Sequence, residues 1–168
     1  SGFMDAVDMA RIIREQRPQT RIVFGNVHVS SLGGPILEHF PAIDALVVGE
    51  GEGALLDLAD GKPLATIGNL IWRDENGKIR VNPRRDRILD LDELPFPAYG
   101  KLAGFPHAYH LPLFSYAQRH GATMITSRGC PYTCSFCDRT VFERLYKTNS
   151  ADYIYRHMKY LRDRFGVH

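Results

Sequence analysis

Apolar residues recur at helical spacing at the start of the chain. The spacing predicts an amphipathic helix of roughly four turns, which ends before Pro18 because proline cannot continue a helix. Its apolar positions are Phe3, Ala6, Val7, Ala10 and Ile13. Two short apolar runs follow, "RIVFG" at 21–25 and "DALVVGEGE" at 44–52. Both predict buried strands that end in glycine-containing turns.

Helical segments alternate with these two strands. "GGPILEHFP" predicts a short helix between them, and "ALLDLAD" at 54–60 predicts another helix after the second strand. The resulting order of helix, strand, helix, strand and helix indicates an α/β fold with parallel strands.

The pattern changes in the middle of the chain. The run 69–83 consists of two extended segments around Glu75-Asn76-Gly77, which predicts a β-hairpin. Prolines on both sides of Phe96 within 91–100 are typical of a semi-rigid connector. From about 101 to 120 the sequence has no regular period.

A strand and a helix are predicted near the end of the chain. The apolar run "ATMITS" at 122–127 predicts a third buried strand. Ser150 is the expected N-cap of a helix that runs to Gly166. The expected apolar face of this helix contains Ile154, Met158, Leu161 and Phe165.

Charge and hydropathy narrow the class of protein. The 168 residues carry 21 Lys and Arg against 19 Asp and Glu, and this net charge of +2 is too balanced to indicate nucleic acid or an anionic membrane. No apolar run reaches the roughly 18 residues that a membrane-spanning helix needs. The first residues lack the order of a signal peptide. We therefore expect a cytoplasmic protein without nucleic-acid or membrane partners, whose thiols stay reduced.

All three cysteines of the chain, Cys130, Cys134 and Cys137, lie within eight positions. They follow the predicted strand 122–127, and in parallel α/β folds ligands collect in such loops. A structural zinc site and an electron-transfer iron–sulfur cluster both want four ligands. A 4Fe–4S cluster held by three thiolates would leave one iron open to a substrate or cofactor. Unrelated thiols on a loop are the remaining alternative.

The residues around the cysteines resemble the signature of radical S-adenosylmethionine enzymes. The likeness rests on the spacing Cys130-x-x-x-Cys134-x-x-Cys137, on Phe136 before the last cysteine and on the surrounding "RGCPYTCSFC". It implies that the three cysteines are the catalytic ligands of a 4Fe–4S cluster whose fourth iron is chelated by S-adenosylmethionine. Phe136 and Tyr132 would contact this cofactor. Ferredoxin or flavodoxin would supply the electron that cleaves its carbon–sulfur bond, which gives methionine and a 5′-deoxyadenosyl radical.

The upstream half resembles the cobalamin-binding domain and linker that precede the radical barrel in one large subgroup of this family. The likeness rests on "RIVFGNVHVSSL", on "DALVVGEGEGALLDL" and on the segment 68–99. It implies the C-terminal part of a doubly wound, Rossmann-like cobalamin-binding domain over 1–62. A hairpin and linker over 63–120 would then lead to the first β/α unit of a partial TIM-like barrel over 121–168.

Two loops of the expected cobalamin domain contain candidate cofactor-binding residues. The turn at 25–28 usually has paired glycines in this family, but Asn26 stands at the second position, and asparagine tolerates a positive φ better than most residues. Glycines after buried strands let a ligand approach the backbone, although tight turns need them as well. His28 is not expected to bind cobalt. The candidates are Gly25, Asn26, His28, Gly49, Glu50 and Gly51.

The resemblance implies a cobalamin-dependent radical enzyme that transfers a methyl group to an unactivated carbon of a small-molecule or peptide substrate. The alternatives are an oxidative cyclase of the magnesium-protoporphyrin ester type, a radical enzyme that does not use cobalamin, and a non-enzymatic zinc-binding module. The chain is expected to be a fragment that is inactive alone. Asp138 and Arg139 are interpreted as solvated loop charges, with contact to substrate or cofactor as the alternative.

Overall fold

The structure is a computed structural model that describes residues 2–109 and 121–167. Its described residues form two compact units. The first lies within Ser1–Ile88 and Tyr132–Arg144, and the second lies within Leu89–Pro131 and Leu145–His168. The domain boundaries implied by the resemblance remain a prediction.

A four-stranded mixed sheet forms the centre of the first unit. Its helices are α1 (Gly2–Gln16), α2 (Val27–Leu32), α3 (Pro35–His39) and α4 (Glu52–Ala59), and its strands are β1 (Val23–Phe24), β2 (Ala45–Val47), β3 (Leu70–Arg73) and β4 (Ile79–Val81). The strand order is β1-β2-β3-β4. β1 and β2 are parallel, and the β3–β4 hairpin joins the sheet antiparallel to β2. The expected parallel pair and hairpin are therefore confirmed, but β1 is half-buried and not buried as expected.

Strand β2 is buried on both faces, as its uninterrupted apolar sequence predicts. Leu46 belongs to one hydrophobic cluster, which includes Val7 of α1 and Val29 of α2. Ala45 and Val47 belong to a second cluster on the opposite face. Because successive side chains point to opposite faces of a strand, β2 joins the two layers of the core.

Helix α2 was not expected from the sequence, which predicted only a turn at residues 25–28. The helix begins at Val27, and the Asn26 side chain accepts a hydrogen bond from the Val27 amide as its N-cap. It has six residues, which is too short to show a clear apolar period.

The second unit contains two single 3₁₀ turns (Leu91–Glu93 and Tyr99–Lys101), strands β5 (Ser127–Gly129) and β6 (Tyr146–Thr148), and helix α5 (Ala151–Phe165). Of the irregular stretch expected at 101–120, residues 110–120 lie outside the described part of the chain.

The predicted buried strand at 122–127 is wrong in position and environment. β5 begins only at Ser127 and pairs antiparallel with β6, in the register Ser127 opposite Thr148. Ile125 is 78% exposed. A strand needs a neighbour to pair its amides and carbonyls, and in the described part of this unit β6 reaches only residues 127–129.

The ends of α5 are confirmed, but its expected buried face is confirmed only in part, since Leu161 is buried and Met158 is not. The Ser150 hydroxyl accepts a hydrogen bond from the Tyr153 amide, and Gly166 ends the helix with a φ of 65°. Tyr153 and His157 are buried, whereas Met158 is 58% exposed.

The connector around Phe96 packs on α5. The Phe96 ring stacks on His157 with centroids 4.6 Å apart, and it meets Tyr153 edge-on at 5.0 Å. The Tyr153 hydroxyl donates to the Leu94 carbonyl over 3.1 Å. These aromatic contacts select the buried face of α5.

No helix of the described residues has both the length and the apolar character needed to cross a membrane.

Candidate functional site

The loops that follow β1 and β2 lie at the same edge of the sheet, because parallel strands end on the same side. Ser30 of α2 joins the two loops. Its hydroxyl donates to the Asn26 carbonyl over 2.9 Å and accepts from the Gly49 amide over 3.0 Å. The candidate residues of both loops are thereby brought together at one edge. Ser30 is buried, and nothing in its sequence context distinguished it from other serines.

The Asn26 backbone adopts a conformation that is nearly restricted to glycine. Its φ is 90° and its ψ is 171°, and non-glycine residues in this region are strained by roughly 1–3 kcal/mol. The sequence predicted that asparagine would support a positive φ at this turn, and this is confirmed.

The three candidate glycines differ in whether the backbone requires a glycine at their position. Gly49 has a φ of 78°, so a side chain there would strain the backbone. At Gly25 an added Cβ would meet only the Val47 carbonyl oxygen, at an ordinary 3.7 Å. At Gly51 it would meet a Val47 methyl group at 3.5 Å. Only Gly49 is therefore required by the turn itself.

Glu50 and His28 make contacts within the fold. The Glu50 carboxylate accepts a hydrogen bond from the Ile88 amide over 3.0 Å, and the Glu50 carbonyl accepts one from Asn69. The His28 ring lies 4.6 Å from the Phe3 ring, measured between centroids. Contact of these two residues with a cofactor remains a prediction.

The three cysteines are free thiols and all are exposed. In the first unit, Cys134 and Cys137 belong to one turn, in which the Cys137 amide donates to the Cys134 carbonyl over 3.2 Å. Phe136 is 90% exposed and Tyr132 is 71% exposed, so both rings are accessible to a ligand. Soft thiolate ligands suit iron–sulfur clusters and zinc alike.

Within residues 2–109 and 121–167, no group of three or more His, Cys, Asp and Glu side chains is placed to hold a metal ion. The three thiols fit the donor chemistry of a cluster, whereas the described residues do not show its coordination geometry.

Asp138 is exposed, as the sequence suggested for a solvated loop charge, but it is also held by hydrogen bonds within the fold. Its carboxylate accepts hydrogen bonds from the Ser31 hydroxyl and, over 2.7 Å, from the Thr140 amide. The Thr140 hydroxyl donates to it over 2.5 Å. Hydrogen bonds from Ser31 first, and then from Thr140, lower the pKa of Asp138 to about 2. The sequence gives no signal that links Ser31 to Asp138, because 107 residues separate them.

Curated proteins similar to this chain include methyltransferases and cyclases. An uncharacterized methyltransferase of Pyrococcus horikoshii is 31% identical over 99% of the chain and 36% of its own length. The anaerobic magnesium-protoporphyrin IX monomethyl ester cyclase of Rubrivivax gelatinosus is 31% identical over 82% of the chain and 25% of its own length. The cobalamin-dependent radical SAM methyltransferase TokK of Streptomyces tokunonensis is 30% identical over 82% of the chain. The chain covers 20% of TokK.

Solved structures share the fold. The cobalamin-dependent S-adenosylmethionine radical enzyme OxsB matches 98% of the chain with a TM-score of 0.64 and 22% identity, over 22% of its own length. The radical S-adenosylmethionine methyltransferase TsrM of Kitasatospora setae matches 92% of the chain with a TM-score of 0.58 and 25% identity, over 30% of its own length.

No protein-family model matches the chain. Its mixed α/β fold is that of cobalamin-dependent and radical S-adenosylmethionine proteins of known structure. Through its sequence relatives, the chain belongs to the family of radical S-adenosylmethionine proteins that carry a cobalamin-binding domain. It spans only about a third or less of the length of these relatives.

Proposed function

We propose that the chain is part of a radical S-adenosylmethionine enzyme that transfers a methyl group to an unactivated carbon with the help of cobalamin. The observation that carries the proposal is that one chain contains two kinds of candidate site. One is the loop with three thiols, and the other is the pair of loops after β1 and β2, which Ser30 joins at one sheet edge. The TokK similarity over 82% of the chain supports the same combination of cofactors.

Cys130, Cys134 and Cys137 would hold the 4Fe–4S cluster, because they supply the thiolates that such clusters require. When bound, the cluster and S-adenosylmethionine would together supply the radical that removes a hydrogen atom from an unreactive carbon. Phe136 and Tyr132 would cover the adenine part of the cofactor, since both rings are exposed beside the cysteines.

Gly25, Asn26 and Gly49 would allow the cobalamin nucleotide tail to approach the backbone at the sheet edge. The strained Asn26 conformation supports this role, since strain of this kind is retained mostly where function requires it. Gly51 would leave space in the turn before α4, and the hydrogen bond from the Ile88 amide to the Glu50 carboxylate would hold this turn in place. His28 would line the same edge without binding cobalt.

For the fold, we propose that the four-stranded unit belongs to a Rossmann-like cobalamin domain and that β5 and α5 begin a TIM-like barrel. The parallel β1–β2 pair and the likeness to OxsB over 98% of the chain support this division. The proposed substrate is a small molecule or peptide, and the proposed electron donor is ferredoxin or flavodoxin.

Oxidative ring formation is the second candidate function. The Rubrivivax gelatinosus cyclase is 31% identical over 82% of the chain, which matches the identity of the methyltransferase relatives. A cyclase would use the radical without transferring a methyl group.

The products formed from S-adenosylmethionine distinguish these functions. The full-length protein, reconstituted anaerobically with iron, sulfide and hydroxocobalamin, would be incubated with S-adenosylmethionine and a chemical reductant. We expect both 5′-deoxyadenosine and S-adenosylhomocysteine by mass spectrometry. 5′-Deoxyadenosine alone would favour the cyclase or a cobalamin-free enzyme. If neither product forms and metal analysis finds zinc, the proposal is overturned in favour of a zinc-binding module.

A further inference from the structure

We propose that Asp138 is a positioning residue that fixes the Cys134–Cys137 turn against helix α2. The inference rests on the proposed function, because it assumes that these thiols bind a cluster. Asp138 follows Cys137 directly, and its carboxylate accepts hydrogen bonds from Thr140 and from Ser31 of α2. The cysteine turn and α2 belong to the same compact unit.

The Ser31 hydroxyl connects this carboxylate with the first turn of α2. It lies 3.0 Å from the Val27 carbonyl oxygen and also donates to Asp138, so one proton is shared between two acceptors. Val27 directly follows Asn26, whose loop we assign to cobalamin. A single hydroxyl group therefore links the proposed cobalamin loop to the proposed cluster loop.

A second set of contacts anchors the same segment at Phe142 and Glu143. The Arg87 guanidinium donates to the Phe142 carbonyl over 2.9 Å and pairs with the Glu143 carboxylate at 2.7 Å. The Glu143 side chain is 70% exposed, so this ion pair contributes little by itself. The Ser31–Asp138 contact is exposed as well, but it is charge-assisted and lies next to a proposed ligand, so we expect it to set the orientation of the turn.

Two substitutions in the full-length protein test this role. Ser31→Ala removes the donor, and Asp138→Asn removes the charge while keeping the size of the side chain. Ser31→Thr is the matched control, because it keeps a hydroxyl group at the same position. Before any cofactor is added, hydrogen exchange in the segment 132–144 is expected to become about tenfold faster in the first two variants and to stay unchanged in the third.

The cluster supplies the second measurement. After reconstitution, we expect Ser31→Ala and Asp138→Asn to bind less iron and to show an altered paramagnetic resonance spectrum of the reduced cluster, with recovery in Ser31→Thr. Combining Ser31→Ala with Asp138→Asn is expected to add little to either single change, since both weaken the same charge-assisted contact.

Unchanged exchange in 132–144 would overturn the positioning role. So would faster exchange with a cluster spectrum identical to that of the unaltered protein. If the unaltered protein bound no cluster at all, the proposed function would fail, and the exchange measurement would still decide whether Asp138 fixes the turn.

Discussion

At the scale of single residues, the loops after β1 and β2 combine strain with open space. Asn26 stands where the backbone favours glycine, with a φ of 90° and a ψ of 171°. Gly25 precedes it and has room for a methyl group. The positive φ of Asn26 could be expected, because the resemblance implies a glycine at this position and asparagine tolerates a positive φ better than most residues. The sequence could not predict that Ser30 joins the two loops, because that contact depends on how α2 packs against the sheet.

Asn26→Gly is expected to stabilise the chain by about 1 kcal/mol, because glycine relieves the strain. Loss of the side-chain cap on Val27 offsets only a few tenths of a kcal/mol when glycine is the replacement. Urea unfolding followed by circular dichroism measures the change. Asn26→Ala is the control: it keeps the strain and loses the cap, so it should destabilise. Stabilisation by alanine would contradict this account.

Gly25→Ala and Gly49→Ala separate the requirements of folding from those of cofactor binding. Gly49→Ala is expected to destabilise the chain by about 1–2 kcal/mol, since alanine disfavours a positive φ. Gly25→Ala should leave the unfolding midpoint nearly unchanged but weaken binding of hydroxocobalamin, because the methyl group occupies the space of the ligand. A visible-absorbance titration measures the affinity. Normal affinity in Gly25→Ala would remove Gly25 from the proposed site.

At the scale of elements, the sequence predicted the structure correctly where the pattern is local. The helices α1 and α5 end where their capping residues predicted, and the hairpin forms around Gly77. The prediction failed where tertiary packing decides. The run 122–127 is apolar, yet pairing with β6 places β5 at Ser127–Gly129. The buried face of α5 depends on Phe96, which lies far away in the sequence.

The buried Asp57 of α4 forms ion pairs with Lys62 and Arg85. Hydrogen bonds from Lys62 and then from Arg85 lower the pKa of Asp57 below its ordinary value of 3.8. A lowered pKa in the folded state means that the carboxylate stabilises the fold above pH 3.8 and loses this effect as the pH falls through the lower value.

Asp57→Asn is accordingly expected to lower the urea unfolding midpoint at pH 7, with the gap to the unaltered chain closing below about pH 4. Unfolding curves across this pH range provide the measurement. A gap that is independent of pH would show that Asp57 acts through packing rather than through its charge.

The connector and α5 provide another test at this scale. Phe96→Ala is expected to destabilise the second unit by about 2 kcal/mol, since a half-buried ring that contacts Tyr153 and His157 is lost. Phe136→Ala is a matched control, because the same change is made at a ring that is 90% exposed. Hydrogen exchange in α5 should increase in the first variant only. Equal effects of the two substitutions would argue against packing of the connector on the helix.

At the scale of the whole molecule, the first compact unit contains the candidate cobalamin residues together with Cys134 and Cys137, whereas Cys130 belongs to the second unit. The family could be named from the cysteine spacing and the upstream loops, because these motifs are local in sequence. The contact between Asp138 and Ser31 could not be predicted from the sequence, because it joins residues 107 positions apart. The central claim is that Cys130, Cys134 and Cys137 hold a cluster with one iron left for S-adenosylmethionine.

Mössbauer spectroscopy of the full-length protein tests this claim most directly. After anaerobic reconstitution with ⁵⁷Fe, we expect about four irons per chain in a 4Fe–4S cluster, with one iron site whose spectrum changes when S-adenosylmethionine is added. Replacing any one of the three cysteines by alanine should abolish the cluster. A protein that contains zinc instead of iron, or a cluster whose spectrum does not respond to S-adenosylmethionine, would contradict the account.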